Sequence, residues 1–435
     1  MTRPTAIAAL RTALGGVLAL HLLSAAGCGG DDDMSDMGPD TACLSRVLLP
    51  GQIKLINCGR GVSQRFGMGV ALSHDGRTAL VSEPGAALFF FPDDAGVWKR
   101  QQAIVQDARC TRSGLDADCE GGFGIPVALS SDANVALMGS FYRREIWHNP
   151  TRSEPIANVF VRDAGGSWNS EKSRSLFIPN GNTQDTDHAL ALSRDGSTVL
   201  GSASGTSNSA SAVWRDRTDY PRTMTATSPL ERVSLSGDGN TALLGSAGTL
   251  ESSVNGSAYV FVRDPQGNWT QQQQLTAGDA AVADRFGSAV AISEDGKTVL
   301  VTSLVQGAPA AAYVFERSPG GTWFQVQKML LDSQAGREVV ATEAALSRDG
   351  TTALISTVVD TGAKEYCGSV AWYVKARSGA YSKRSELVAY DSIIGDQFGT
   401  AVALSGDGHT ALIGAPRAFD LTSSSYGAAY LFSLQ

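Results

Sequence analysis

Histidine, cysteine and clustered positive charge are all scarce in this sequence, and each scarcity narrows what the chain can do. Among 435 residues there are five histidines. His21 lies in the N-terminal apolar stretch, His74 and His409 at variable turn positions, His148 in a polar insertion and His188 just before a strand. No GxSxG elbow, HExxH helix or phosphate-gripping glycine loop accompanies them, so no hydrolase, metalloprotease or nucleotide-binding motif is written locally. The six cysteines contain no CxxC and no ligand-spaced Cys/His cluster, which argues against a structural zinc site. The net charge is -8 and no basic cluster interrupts it. A nucleic-acid surface must concentrate positive charge to displace counterions, so no nucleic-acid partner is expected. Long amphipathic helices are missing as well. What is plentiful is glycine, 48 residues with no collagen period, which suggests a chain of many turns.

The one apolar run sits at the N-terminus. Arg3 and Arg11 precede TALGGVLALHLL at 12–23, and SAAGC ends at Cys28. Charged, apolar and small-residue segments in that order form an export signal; as a retained span the run is short and is broken by His21. The residues before Cys28 resemble a bacterial lipobox, with Ala26 and Gly27 at the small positions and Ala25 departing from the usual leucine. The resemblance implies cleavage before Cys28 and a diacylglycerol on its thiol. The domain expectation is therefore a signal peptide at 1–27, a flexible acidic tether at 28–42 and one large domain at 43–435. Export permits disulfides, and the local pairs are Cys43 with Cys58 and Cys110 with Cys119. Cys367 is left over and reads as a buried thiol.

The chain also repeats itself. LSHDGRTAL at 72–80 returns as LSSDANVAL at 129–137, LSRDGSTVL at 192–200, LSGDGNTAL at 235–243, ISEDGKTVL at 292–300, LSRDGTTAL at 346–354 and LSGDGHTAL at 404–412. Alternating residues precede each phrase and an apolar run follows it. Asp-Gly between two such runs is a hairpin signal, because glycine tolerates positive φ and aspartate bonds its own backbone. The second copy has Asp132-Ala133-Asn134, where Asn134 is expected to supply the turn conformation. A second hairpin follows many copies, for example at 87–105, 158–176, 257–275, 311–330 and 370–388. In these, Trp98, Trp168, Trp269, Trp323 and Tyr381 hold one place in the unit. Repetition favours packing between neighbouring units over a sugar or cofactor platform.

Two hairpins make a four-stranded sheet with two faces to bury, which cannot stand alone. Radial stacking solves that problem and protects the edges. The expected fold is all-β, a seven-bladed β-propeller of four-stranded antiparallel blades. The last copy stops one strand short at Gln435, and 45–55 has the register of the missing strand, so pairing of 45–55 with 427–434 is expected to close the ring. The rival reading makes 45–55 an independent cap on the first blade. The third unit, 192 to 235, is the shortest and most irregular; the second inserts FYRREIWHNPTRSEP at 141–155. Tyr142, Trp147 and His148 make that insertion the least core-like aromatic cluster and the candidate ligand-binding loop, set against a plain solvent-facing loop.

These units resemble the FG-GAP repeats, also found in the integrin α-chain head. The resemblance rests on Asp284-Arg285-Phe286-Gly287 and Asp396-Gln397-Phe398-Gly399, the weaker Arg65-Phe66-Gly67 and Gly122-Phe123-Gly124, and Gly414-Ala415-Pro416. It implies a propeller over about 45–433. Some integrin repeats bind calcium through a dense aspartate loop, whereas this chain has no DxDxDG, and the carboxylates Asp116, Asp118 and Glu120 are imperfectly spaced. No cofactor or metal is expected, with calcium left open; the phrase aspartates read as turn formers. The functional expectation is a non-enzymatic, lipid-anchored, monomeric module on the periplasmic or cell-surface side of a bacterial envelope. There it would bind another protein or surface component. Alternatives are a structural envelope protein without a ligand, and a glycan-binding module or a propeller enzyme with its site at a channel mouth.

Overall fold

A computed structural model describes residues 46–49, 51–57, 65–105, 110–113, 116–121, 123–145, 152–177, 188–203, 210–215, 222–228, 230–247, 256–279, 284–304, 310–331, 338–360, 366–393, 395–419 and 426–435. Cys28, Cys43, Cys58, Trp147 and His148 lie outside them, as do the signal and tether segments.

Two short strands come first, β1 (Arg46–Leu49) and β2 (Gln52–Leu55). A four-stranded sheet follows, β3 (Gly69–Leu72), β4 (Ala79–Glu83), β5 (Ala86–Pro92) and β6 (Trp98–Val105). The next sheet has six strands: β7 (Cys110–Ser113), β8 (Asp116–Gly121), β9 (Val127–Leu129), β10 (Val135–Glu145), β11 (Arg152–Arg162) and β12 (Trp168–Phe177). Four-stranded sheets then recur. One is β13 (His188–Leu192), β14 (Thr198–Ala203), β15 (Ala210–Arg215) and β16 (Arg222–Thr225). Another is β17 (Arg232–Leu235), β18 (Thr241–Ser246), β19 (Ser257–Arg263) and β20 (Trp269–Leu275). A third is β21 (Val290–Ile292), β22 (Thr298–Ser303), β23 (Ala311–Arg317) and β24 (Trp323–Leu330). The last is β25 (Glu338–Leu346), β26 (Thr352–Asp360), β27 (Tyr366–Lys375) and β28 (Tyr381–Leu387). The C-terminal strands β29 (Ala401–Leu404), β30 (Thr410–Phe419) and β31 (Tyr426–Ser433) join β2 and β1 in a five-stranded sheet.

This is an all-β propeller of four-stranded antiparallel blades, with two departures from the uniform set of seven expected from the repeats. The segment 45–55 is not one strand: it turns at Gly51 (φ 85°), so that β2 pairs with β31 and β1 adds an extra outer strand. The stretch CTRSGLDADC is not a loop either. It forms the hairpin β7–β8, with Cys110 opposite Cys119, and β8 pairs with the upper half of β10. The insertion at 141–155 is likewise an extension of the β10–β11 hairpin, with Tyr142 opposite both Glu120 and Glu154. Extra residues there find backbone partners by lengthening a ladder, which costs less than leaving polar groups unpaired. The third unit, irregular in sequence, has four strands in order.

The repeated phrase has a single physical explanation. In every copy the phrase serine is buried and its Oγ donates to the aspartate two residues on, as from Ser293 to Asp295 at 2.6 Å. The same Oγ accepts the N–H of Thr298 at 3.0 Å, while Asp295 Oδ1 accepts the N–H of Lys297. Ser73, Ser130, Ser193, Ser236, Ser347 and Ser405 repeat the arrangement. The aspartates are turn formers, as read. The residue after each aspartate has positive φ, and in the second copy this is Ala133 (φ 53°) rather than Asn134. Asn134 instead donates from its side chain to Asp132 at 2.8 Å, holding the turn while alanine carries the left-handed backbone.

Apolar packing runs between adjacent sheets. Phe286 is fully buried against Leu243 and Val260 of the preceding sheet and Val299 of its own, edge-on to Tyr313 and Phe315. Phe398 repeats this against Leu354, Val370, Tyr430 and Phe432. Gly287 follows at φ 98°, where a Cβ would stand 2.5 Å from the Ser257 carbonyl oxygen, so the Phe-Gly pair is a wedge plus a backbone crossing. The tryptophans are structural: Trp98, Trp168 and Trp323 are buried, and Trp168 stacks on Phe89 at 4.3 Å.

Candidate functional site

The variable residue between phrase serine and aspartate carries no motif of its own, and the fold links its seven copies by backbone hydrogen bonds. His74 N–H donates to Ser131 O, Ser131 N–H to Arg194 O, Arg194 N–H to Gly237 O and Gly237 N–H to Glu294 O. Asp295 N–H then donates to Arg348 O, Arg348 N–H to Gly406 O and Gly406 N–H back to His74 O, at 2.9–3.1 Å throughout. One residue from each phrase thus lines the axis on the face formed by the phrase turns, called the turn face below.

Their side chains build a polar mouth. A cavity of about 540 Å³ is lined by His74, Ser131, Asp132, Arg194, Asp195 and Gly237. His74 Nδ1 lies 3.6 Å from Glu294 Oε1, and Ser131 Oγ lies 3.4 Å from the same oxygen. Room for this crossing comes from two glycines. A Cβ on Gly406 would meet the His74 ring at 1.6 Å, and one on Gly237 would crowd the Glu294 backbone. Glu294 Oε2 is buried without a hydrogen-bond partner, as is His74 Nδ1.

The electrostatics are acidic. Burial alone would raise Asp132 and Asp195, but hydrogen bonds from Ser130 and the Asn134 N–H, and from the Ser197 N–H and Ser193, outweigh it and hold both carboxyls below the usual range. With Glu294 of the ring, these carboxylates stand beside the lining cation Arg194 and Arg348 of the same ring. The arrangement suits a hydrogen-bond donor or a cation. Among the described residues no group of three or more His, Cys, Asp or Glu is placed to hold a metal ion.

The residues singled out from sequence fall elsewhere. Cys110 and Cys119 are backbone neighbours on β7 and β8, and Tyr142 lies on β10. Phase, not composition, was the signal for the mouth: His74 and Glu294 hold the same repeat position in the first and fifth copies.

A β-propeller with a polar axial mouth is the class that fold and site define. Residues 269–315 and 381–432 match the FG-GAP repeat family. They contain Asp284-Arg285-Phe286-Gly287 and Asp396-Gln397-Phe398-Gly399, so both full motifs fall inside the matched segments. No curated protein matches the chain. Among solved structures the chain is similar to a functionally unknown protein from Desulfotomaculum acetoxidans (13% identity, 82% of this chain and 100% of that one, TM-score 0.48). It is also similar to a hydrazine synthase from Kuenenia stuttgartiensis (14%, 82% and 95%, TM-score 0.48). A third is a putative 6-phosphogluconolactonase from Bacteroides uniformis (16%, 74% and 85%, TM-score 0.46). The last two are named as enzymes, and the expectation that this chain is no enzyme does not stand against them. At such identities the likeness is one of fold and assigns this chain no activity.

Proposed function

We propose that the chain is an exported, lipid-anchored propeller, held by Cys28 at a bacterial envelope, that binds another protein or a surface component through its axial mouth. The observation that carries the reading is the mouth itself, where His74, Ser131 and Glu294 converge beside the lining carboxylates Asp132 and Asp195. A lysine, arginine or amide group of a partner is the matching chemistry. The scaffold belongs to the proposal. A seven-bladed ring closed by strands from both ends is supported by the circuit of turn hydrogen bonds that returns to His74 and by the pairing of β2 with β31. A rigid ring holds the mouth in one geometry and so limits the ordering cost of binding.

The test is capture from gently solubilised envelopes with light crosslinking, comparing the native protein with a Glu294→Ala, Asp132→Ala variant. A partner recovered in near-equal amount by the native protein and lost by the variant supports the reading. Recovery that is equal in both moves the contact away from the axis, and no enriched component overturns the binding role.

A further inference from the structure

The seven large apolar side chains exposed among the described residues all lie on three blades. Val105 ends β6; Phe324, Val326 and Leu330 lie on β24; Val388, Tyr390 and Ile393 follow β28. Val105, Leu330, Val388, Tyr390 and Ile393 are 51–68% exposed at the far end of the outermost strands, away from the turn face. Two of these blades, β3–β6 and β25–β28, flank the sheet in which the described chain begins, and β21–β24 lies one blade further along.

The strand register places that beginning. Gly51, between β1 and β2, accepts the N–H of Ser433, and Leu434 donates to His409 O, so the β1–β2 turn lies at the turn face. Arg46, opposite Lys54, therefore lies at the other end. Lys54 Nζ bonds Asp391 Oδ2 at 2.6 Å, Gln52 Nε2 donates to Val388 O at 3.1 Å and Tyr390 N–H to Gln52 Oε1 at 3.2 Å. Segment 388–391 is thus strapped to β2 by its polar atoms while Val388 and Tyr390 point to solvent. The outer strands described on the other side are polar: β16 reads RTMT with only Met224 buried, and β20 reads WTQQQQL.

We infer that this rim, Val105, Leu330, Val388, Tyr390 and Ile393, rests on the lipid surface that holds the chain. Exposed large apolar side chains confined to one arc of an otherwise polar rim point to a contact surface. Its occupant is set by where the chain arrives: the proposed anchor at Cys28, on which this inference rests, joins the domain at Arg46, whose strand partner Lys54 bonds Asp391, through 17 residues that span at most about 60 Å. Tyrosine with aliphatic neighbours suits the interfacial layer of a bilayer. The contact is a rim rather than a face, because the long hairpins β10–β11, β26–β27 and β30–β31 extend at that end. A disc tilted on this rim leaves the axial mouth, on the opposite face, open to water.

The experiment places p-benzoylphenylalanine at Tyr390, at Ile393 and, as a control on the turn face, at Asn240. The full-length protein is then illuminated in vesicles of phosphatidylethanolamine and phosphatidylglycerol at saturating lipid. Lipid adducts at 390 and 393 at least about tenfold above 240 are expected, given the steep depth dependence of interfacial insertion. Adducts at 390 no more abundant than at 240, or adducts joining two copies of the chain, overturn the inference. The mass of the Cys28 peptide reads the anchor separately. Unmodified Cys28 with lipid adducts at 390 removes the anchor and keeps the rim; acylated Cys28 without them does the reverse.

Discussion

At the scale of the residue, the phrase Ser-x-Asp-Gly shows how a few atoms account for most of a repeat. Each serine hydroxyl serves as donor and acceptor in one buried turn, so neither hydroxyl nor backbone N–H is left unpaired. The aspartates have a consequence for pH. Asp132, Asp195, Asp238, Asp349 and Asp407 are each opposed by burial, yet their hydrogen bonds prevail and hold them below the usual carboxylate range. A group depressed in the folded state contributes stability that is present above its unfolded pKa and lost as pH falls through the folded one. Glu83, Glu343 and Asp396 act in the other sense, since burial raises all three. With five phrase aspartates against these three, the melting temperature is expected to fall below about pH 4, as the depressed carboxyls take up protons. Circular dichroism melts across that range check it; a melting temperature that rises on acidification would show that the buried acids dominate instead.

At the scale of the element, the outer strands are tied by a recurring glutamine. Gln102 on β6 donates to Trp168 O at 2.8 Å and accepts Trp168 N–H at 2.9 Å, as though it were one more residue of a ladder. Gln273 does the same to Trp323, and Gln327 to Tyr381. This explains why the aromatic and a polar strand recur together: the ring fills the gap between blades and the amide of the blade before it satisfies its backbone. Gln273→Ala leaves the Trp323 N–H and C=O in need of water beside a buried ring, and is expected to cost about 1–3 kcal/mol in denaturant unfolding. Gln271, exposed on the same strand, is the control, with a cost within about 0.5 kcal/mol. Equal losses at both positions would refute the bracing role. The hairpins themselves were legible, because turn chemistry and alternation are local. The added strands β7 and β8 were not, since a polar stretch reads as loop until a neighbouring ladder offers it partners, and β1 was merged with β2 because the turn at Gly51 interrupts two apolar runs in one register.

For the whole molecule, the telling residue is Leu55. It is buried on β2 with Phe66, Val81, Leu412 and Leu431, so it joins the first blade to the last. Leu55→Ala is expected to destabilise by about 2–5 kcal/mol. In the proposed closed ring it would lower amide-exchange protection in β3–β6 and β29–β31 together. Loss confined to β29–β31 would favour an open arrangement in which 45–55 only caps an edge.

The sequence by itself determined the repeat, its turns, the strand alternation and the chemistry of each phrase, because these depend on residues within about six positions of one another. The tertiary structure alone decided that the variable turn residues meet at an axis, that His74 and Glu294, 220 positions apart, face each other over two glycines, and that the exposed apolar rim lies beside the start of the described chain. The physical reason is that these placements follow from the order in which blades stack, and no local propensity encodes which turn residues will share an axis.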